Sequence, residues 1–142
     1  MDDQKQALNS SMIKMKKRIV KRMAKYVMAS FYFLAGLNHF VQAEFYLPLI
    51  PDYFPEKEII NILSGIIEVL GATALLIPKS QKAGAWAIVA MLVAFIPSHI
   101  YFIQIGSCVE NGLCTPEFVA WIRLVIIHPL LIWWAFIYTK LD

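Results

Sequence analysis

Residues 59–77 read IINILSGIIEVLGATALLI, and this stretch decides the fold. Charged residues precede the apolar run, and Pro78 follows it directly. A helix rises about 1.5 Å per residue, so the run is close to the length of about 20 residues that a membrane-spanning helix needs. Glu68 lies near its centre, where a carboxylate costs about 2.5–3.5 kcal/mol on insertion scales. The run therefore predicts a transmembrane helix whose Glu68 faces protein rather than lipid.

The composition of the whole chain is that of a membrane protein. Of its 142 residues, 59% are hydrophobic and 16% are charged, whereas soluble domains average about 45–50% apolar and about 25% charged. Three further apolar segments predict spans over residues 25–43, 83–105 and 118–139. We therefore predict an all-α fold, an integral membrane four-helix bundle over residues 25–142. A basic cytoplasmic segment over residues 1–24 precedes it.

The positive charges of the chain are concentrated in two places. Residues 14–25 contain seven lysines and arginines and no acid, and residues 78–82 contain two lysines. The other two loops, 44–58 and 106–117, are acidic. Basic flanks stay on the cytoplasmic side of a membrane. Both termini are therefore predicted to be cytoplasmic, and the two acidic loops to be external.

The segment over residues 1–24 is also amphipathic. Met12, Met15, Ile19 and Met23 recur at helical spacing, with cations between them. Such a helix suits an anionic membrane surface, although a basic flank also acts as a topology signal alone. Because the segment leads directly into a predicted span, no nucleic-acid partner is predicted. The lipid bilayer is the predicted partner.

Prolines interrupt the chain at two further points. Pro48, Pro51 and Pro55 exclude a regular helix from the first external loop, which is rich in aromatic residues. We expect this loop to lie in the membrane interface or to fold back as a cap over the bundle. Pro97 lies inside the third predicted span, where it should bend the helix and free a carbonyl one turn earlier.

Each predicted span carries an ionisable side chain in its external half. Counted from the external ends at about 1.5 Å per residue, the first of these side chains lies about one turn deep and the deepest more than two turns. If polar residues were merely tolerated, they would occur at scattered depths. Their similar depth in all four predicted spans is better explained by a shared site that faces the inside of the bundle. The candidate ligand-binding residues are His39, Glu68, His99, Arg123 and His128.

Glu68 and Arg123 are the predicted ion pair, since pairing lowers the cost of burying each charge. Ser64 and Ala72 lie one turn on either side of Glu68, so its face of the helix allows a close neighbour. The cluster has two interpretations. It is a functional site, because charges inside a membrane default to function, or a structural lock that holds helices together at about 0.6–2 kcal/mol per contact.

Three other interpretations carry less weight. His39, His99 and Glu68 form a conceivable two-histidine, one-carboxylate set, but no ligand spacing supports it, so no metal is predicted. Cys108 and Cys114 do not form a CxxC redox motif, which leaves a structural disulfide or two free thiols. A solute or proton pathway would also need polar residues in the cytoplasmic half, where few are present.

Five stretches, taken in order, resemble the DoxX-like family of small bacterial four-helix membrane proteins. They are FLAGLNHF at 33–40, PDYFP at 51–55, SGIIEVLG at 64–71, PSH at 97–99 and WIRL at 121–124. The likeness covers residues 25–140. Relatives often have Asn at the position of His99, and VIIHP at 125–129 replaces their Pro-x-Gln.

The resemblance implies a multi-pass protein of the bacterial inner (cytoplasmic) membrane, linked to quinone-dependent oxidation of reduced sulfur or to redox-protecting assemblies. On that basis we expect a redox-associated subunit or small oxidoreductase that binds a quinone or another lipid-soluble ligand at the polar cluster. The histidines would donate hydrogen bonds and move protons, and Arg123 would stabilise negative charge on the ring oxygen. Redox partner proteins follow from the same resemblance.

The alternative is a non-enzymatic accessory subunit in which the Glu68–Arg123 pair only holds the bundle together. Whether the protein is an enzyme and whether it forms a homo-oligomer are left open.

Overall fold

The computed structural model describes residues 2–109 and 112–140. That part of the chain is all-helical, with 82% helix and no strand. The α-helices are α1 (Asp2–Val41), α2 (Ala43–Tyr46), α3 (Lys57–Leu76), α4 (Gln81–Ala94), α5 (Ile96–Gln104), α6 (Glu117–Ile122) and α7 (His128–Phe136). A π-helical segment, Arg123–Ile127, joins α6 to α7, and 3-10 turns over Leu47–Leu49 and Ile137–Thr139 follow α2 and α7.

Three helical stretches of the described chain are long and apolar enough to cross a membrane by length and composition. They are Lys57–Leu76, Gln81–Gln104 and Glu117–Thr139. Each begins and ends within two residues of a predicted span.

The first predicted span, 25–43, differs from the other three. Its residues 25–41 belong to α1, a continuous helix of 40 residues that ends at Val41, and the span is not among the three apolar stretches. Asn38, His39 and Gln42 lower its hydropathy. No glycine or proline interrupts residues 2–35, so nothing ends a helix between the basic segment and the apolar one.

The apolar core fills one end of the molecule. There α1 packs on α3, α3 on α4, and α4 on α7. Met28, Leu75, Ile88 and Ala135 are completely buried at this end. We call it the core end. The predicted polar residues lie further along the same helices, toward the end at which α1 finishes and α3 begins.

Close contacts between glycines hold α3 against both of its neighbours. A Cβ atom on Gly36 would lie 2.8 Å from the Cβ of Glu68, and one on Gly65 would lie 2.8 Å from the Cβ of His39. On the other side of α3, a Cβ on Gly84 of α4 would collide with the backbone of α3. Small residues allow backbones to approach in this way, and here the approach places His39 beside Glu68.

The last two apolar stretches, Gln81–Gln104 and Glu117–Thr139, are both irregular helices. We call them the third and fourth rods. The third is interrupted at Phe95, so that α4 ends at Ala94 and α5 begins with Pro97 in its first turn. The predicted irregularity at Pro97 is therefore confirmed. In the fourth rod, the π-helical segment lies directly before His128 and Pro129. A proline donates no backbone hydrogen bond, and π-helical turns are frequent at functional sites.

The proline-rich loop folds back over the end at which α1 finishes, as expected for a cap. Its prolines limit it to the single turn of α2, one 3-10 turn and a hydrogen-bonded turn over residues 51–54. The O–H of Tyr101 in α5 donates a hydrogen bond to Asp52 over 2.8 Å, and Lys57 pairs with the same carboxylate. These contacts fix the loop to α5 and to the start of α3.

The loop between α5 and α6 contains both cysteines. Cys108 and Cys114 are joined in a disulfide, which is the first of the two alternatives left open by the sequence. Gly106 and Ser107 turn the chain out of α5 with positive φ values of 83° and 58°. The disulfide therefore closes a short turn at the same end of the molecule as the cap.

Candidate functional site

A cavity of about 610 Å³ lies between the helices and beneath the cap. All five candidate residues line it: His39, Glu68, His99, Arg123 and His128. They come from α1, α3, α5, the π-helical segment and the first residue of α7. The structure thus brings together the five residues that the sequence predicted at one depth of the bundle. We call the space that they line the polar cavity. The role of the five residues in binding a ligand stays a prediction.

Apolar and aromatic side chains form most of the wall of the polar cavity. Phe31, Phe45, Phe54, Phe95 and Phe102 are among them. Small-molecule sites have this character, with volumes of about 300–1,000 Å³ and a few polar groups that fix orientation. The polar cavity therefore has the size and lining of a site for a largely apolar ligand.

Asn61 fixes the proton position on His39. Its amide Nδ2 donates to the backbone carbonyl of His39 over 2.9 Å, and its Oδ1 lies 2.6 Å from His39 Nδ1. A carbonyl only accepts, so this amide has one satisfied orientation and its Oδ1 must accept from Nδ1–H. Neutral His39 therefore carries its hydrogen on Nδ1 and presents an unprotonated Nε2.

That Nε2 atom faces Glu68. Glu68 Oε2 lies 3.7 Å from His39 Nε2, and Glu68 is 3% exposed. Oε2 has no hydrogen-bond partner, although it is fully buried. Two acceptor atoms at this distance repel each other unless a proton resides on one of them. One of the two side chains is therefore expected to carry a proton, although at 3.7 Å they do not share it in a hydrogen bond.

Tyr32 supplies a second unsatisfied group in the polar cavity. Its hydroxyl is buried and has no hydrogen-bond partner, and its side chain lines the same space as Glu68. Leaving a buried polar group unpaired costs about 1–3 kcal/mol. A polar group of a ligand held between Tyr32 and Glu68 would satisfy both.

The predicted ion pair between Glu68 and Arg123 is wrong. Both residues lie in the described part of the chain, where no ion-pair contact joins them within 4 Å; the basic side chain nearest to Glu68 there is His39. The glycine contact between α1 and α3 explains this, since it places His39 directly against Glu68. Arg123 lines the polar cavity from the π-helical segment.

His128 connects the two irregular rods. Its Nε2 lies 2.6 Å from the carbonyl oxygen of Leu92, in the last turn of α4. Carbonyls at the end of a helix lack their usual partners, and this one can only accept, so neutral His128 carries its hydrogen on Nε2. The ring of His99 packs edge-on against that of His128, with centroids 4.6 Å apart.

The cap covers His39. The ring of Tyr46 in α2 stacks on the imidazole with centroids 3.8 Å apart and an interplanar angle of 20°. The Tyr46 oxygen accepts a hydrogen bond from Asn38 Nδ2 over 3.0 Å. The position of Tyr46 thus depends on α1, and movement of the cap would uncover the His39–Glu68 pair.

Three residues of the site were not predicted. Asn61 precedes Glu68 by seven residues, and Tyr32 precedes His39 by seven. Seven residues make about two helical turns, so each lies on the same face as the predicted residue. This spacing was a usable signal. Tyr46 lies in the irregular cap, where no periodicity indicates the direction of a side chain.

The metal interpretation finds no support. Within the described ranges, no three His, Cys, Asp or Glu residues are placed to hold a metal ion. His39, His99 and Glu68 share the polar cavity without forming such a group.

These features define a small all-helical protein with apolar helices of membrane length and a polar cavity at one end. Residues 28–139 match the family described as "Domain of unknown function (DUF8561)", and the chain belongs to that family. The matched range includes every residue that lines the polar cavity. Neither the curated proteins nor the solved structures give a match.

Proposed function

We propose that the protein is an integral four-helix bundle of the bacterial inner membrane, with both termini cytoplasmic and the polar cavity near the external surface. Exposed apolar side chains on the outer faces of the helices support membrane insertion: Leu70 is 62% exposed, Val125 62% and Trp133 63%. Soluble monomers rarely expose large contiguous apolar patches. The distribution of basic and acidic loops supports the orientation.

The disulfide supports the same orientation. Disulfides persist in oxidising compartments such as the bacterial periplasm and are rare in the cytosol. In the proposed topology the Cys108–Cys114 loop lies on the periplasmic side, close to the cap.

Within this membrane, the protein binds a quinone or a similar lipid-soluble ring compound in the polar cavity, as a redox-associated subunit or small oxidoreductase. One observation carries this proposal: an aromatic-walled cavity of about 610 Å³ contains buried polar atoms without partners. A quinone offers a flat apolar ring and two polar oxygens. The resemblance to the DoxX-like family is consistent with the proposal.

The donors and acceptors of the polar cavity differ from those expected. Neutral His39 and His128 donate their N–H groups to Asn61 and to the Leu92 carbonyl. Toward a ligand, both rings therefore act as acceptors. The Tyr32 hydroxyl, the Arg123 guanidinium and the ring N–H of His99 line the cavity as donors to a quinone carbonyl. Oxidation of a quinol releases two protons and two electrons. The His39–Glu68 pair and the unprotonated Nδ1 of His128 would accept the two protons, while both electrons pass to a redox partner protein.

Ligand extraction and titration test this function. We expect the protein, purified in mild detergent, to contain an extractable quinone and to melt at a higher temperature when a quinone analogue is added. Tyr32→Phe and Arg123→Gln should weaken that stabilisation. Tyr53→Phe is the matched control, because Tyr53 is 68% exposed and does not line the polar cavity. Absence of both a bound quinone and a thermal shift would contradict the proposal.

A second candidate function is that of an accessory subunit in which the polar cluster is a structural lock. The paired hydrogen bonds between His39 and Asn61, and the bond from His128 to Leu92, favour this candidate because they join different helices. The lock would not include an ion pair of Glu68 with Arg123.

A further inference from the structure

A second, smaller cavity lies at the core end of the molecule. Its volume is about 170 Å³. It is lined by Arg18, Lys21, Arg22 and Lys25 of α1, with Gln81 of α4 and Tyr138 of the last 3-10 turn. We call it the basic pocket. It is separated from the polar cavity by the apolar core.

Contacts between distant parts of the chain build the basic pocket. The Tyr138 hydroxyl donates to the backbone carbonyl of Lys21 over 2.9 Å, and Lys25 Nζ donates to Gln81 Oε1 over 2.8 Å. These two bonds hold α1 against the start of α4 and the end of the fourth rod. The cations therefore line a shallow recess, in which Lys21 and Lys25 are partly buried and Arg18 and Arg22 are exposed.

The charges of the basic pocket are concentrated on one face of α1. Positions 18, 21, 22 and 25 follow the i, i+3, i+4, i+7 spacing of a single helical stripe. Like charges at this spacing destabilise a helix. No Asp or Glu occurs between residues 4 and 43, and of the residues that the structure describes, none that lines the pocket is acidic. These side chains give the pocket a concentrated positive charge.

We propose that the basic pocket binds the phosphate group of an anionic lipid head group. This inference relies on the proposed membrane placement and is independent of the ligand in the polar cavity. Lys25, Gln81 and Tyr138 all lie within two residues of the cytoplasmic ends of predicted spans, which is the level of the head groups. Basic pockets between helices on the cytoplasmic side bind acidic head groups. The volume suits a phosphodiester and is too small for a drug-sized ligand.

A lipid titration tests the source of the phosphate. The full chain in neutral detergent is titrated separately with short-chain phosphatidylglycerol, with phosphatidylcholine of the same chains and with inorganic phosphate, and the melting temperature is followed. We expect phosphatidylglycerol to raise the melting temperature and phosphatidylcholine to leave it unchanged. An equal shift with inorganic phosphate would overturn the assignment to a lipid.

Paired variants test the place of binding. Arg18→Gln with Arg22→Gln should raise the phosphatidylglycerol concentration at the midpoint about 25-fold, since each cation at an anionic surface contributes about fivefold in affinity. The matched control is Lys16→Gln with Lys17→Gln, which removes the same charge from residues that do not line the pocket and should change the midpoint little. Equal losses in both pairs would show diffuse attraction and overturn the proposal.

A third variant separates this proposal from the proposed function. Arg123→Gln alters the polar cavity alone, so it should weaken binding of a quinone analogue and leave the phosphatidylglycerol midpoint unchanged. Loss of phosphatidylglycerol binding in Arg123→Gln would place the lipid in the polar cavity and overturn the assignment to the basic pocket.

Discussion

Two histidines of the polar cavity are held in opposite tautomers by groups that can only accept a hydrogen bond. Asn61 holds the hydrogen of neutral His39 on Nδ1, and the Leu92 carbonyl holds that of neutral His128 on Nε2. Each ring therefore presents a defined unprotonated nitrogen. At the scale of single residues, the protein part of the site is already oriented before a ligand enters.

Asn61 and Glu68 should respond differently to substitution, because only Asn61 has hydrogen bonds to lose. Asn61→Leu leaves two groups of His39 unpaired and should lower the free energy of unfolding by about 1–3 kcal/mol. Glu68→Gln should change stability little, since Glu68 Oε2 has no hydrogen-bond partner, yet it should reduce binding of a quinone analogue. Melting temperature and ligand titration measure the two effects.

The same pair of variants distinguishes the two candidate functions. If Glu68→Gln destabilised the protein as much as Asn61→Leu does, the acid would be part of a structural lock and the ligand proposal would lose its central residue.

At the scale of elements, α3 is held between α1 and α4 by glycine contacts on both sides. The contact with α1 positions Glu68, and the contact with α4 lies nearer the core end. In the second contact the two glycines have unequal surroundings: a Cβ on Gly71 would first meet Ile88 Cγ1 at 3.4 Å, whereas one on Gly84 would strike the backbone of α3.

Alanine at these two glycines should therefore have opposite effects. Gly84→Ala must push α4 away from α3 and should destabilise the protein by about 1–3 kcal/mol. Gly71→Ala meets an ordinary contact and should be neutral or stabilising by up to about 1 kcal/mol, since alanine favours a helix over glycine. Thermal unfolding in detergent compares them, and equal destabilisation would show that the α3–α4 contact is not as close as described.

Particular elements show what the sequence could predict. Apolar runs bounded by charges and prolines predicted the positions of α3 and of the third and fourth rods. Pro97 predicted the irregularity in the third rod. The absence of glycine and proline from residues 2–35 was a signal for one continuous α1. The partner of Glu68 was not predictable, because it depends on how far α1 and α3 approach and rotate against each other. Periodicity gives the face of a residue but not the neighbour that the face meets.

At the scale of the whole molecule, the two ends are built differently. The core end is filled by apolar side chains such as Leu75 and Ile88, whereas the other end contains the polar cavity. The proposed ligand would therefore enter from the end that the cap covers. The contacts of Asp52 with Lys57 and Tyr101 hold that cap in place.

Acid should release the cap. The hydrogen bond from Lys57, followed by that from Tyr101, holds the pKa of Asp52 below its usual value of 3.8. A lowered pKa in the folded protein means that the contribution of Asp52 is present above the usual value and is lost as the pH falls through the lowered one. Association of a quinone analogue should become faster in that acidic range.

Asp52→Asn should remove this pH dependence and give the faster rate already at neutral pH. Glu44→Gln is the matched control, as a change to another exposed acid of the same loop. A rate that accelerates in acid equally in the wild type and in Asp52→Asn would assign the effect to another group.

The length of α1 has a mechanical consequence. Forty residues extend about 60 Å, roughly twice the thickness of the hydrocarbon layer. This single helix carries His39 near one end, while residues 4–17 toward the other end have exposed side chains. In the proposed membrane placement, a partner that binds these exposed residues on the cytoplasmic side and tilts the helix would also turn the imidazole near the external side.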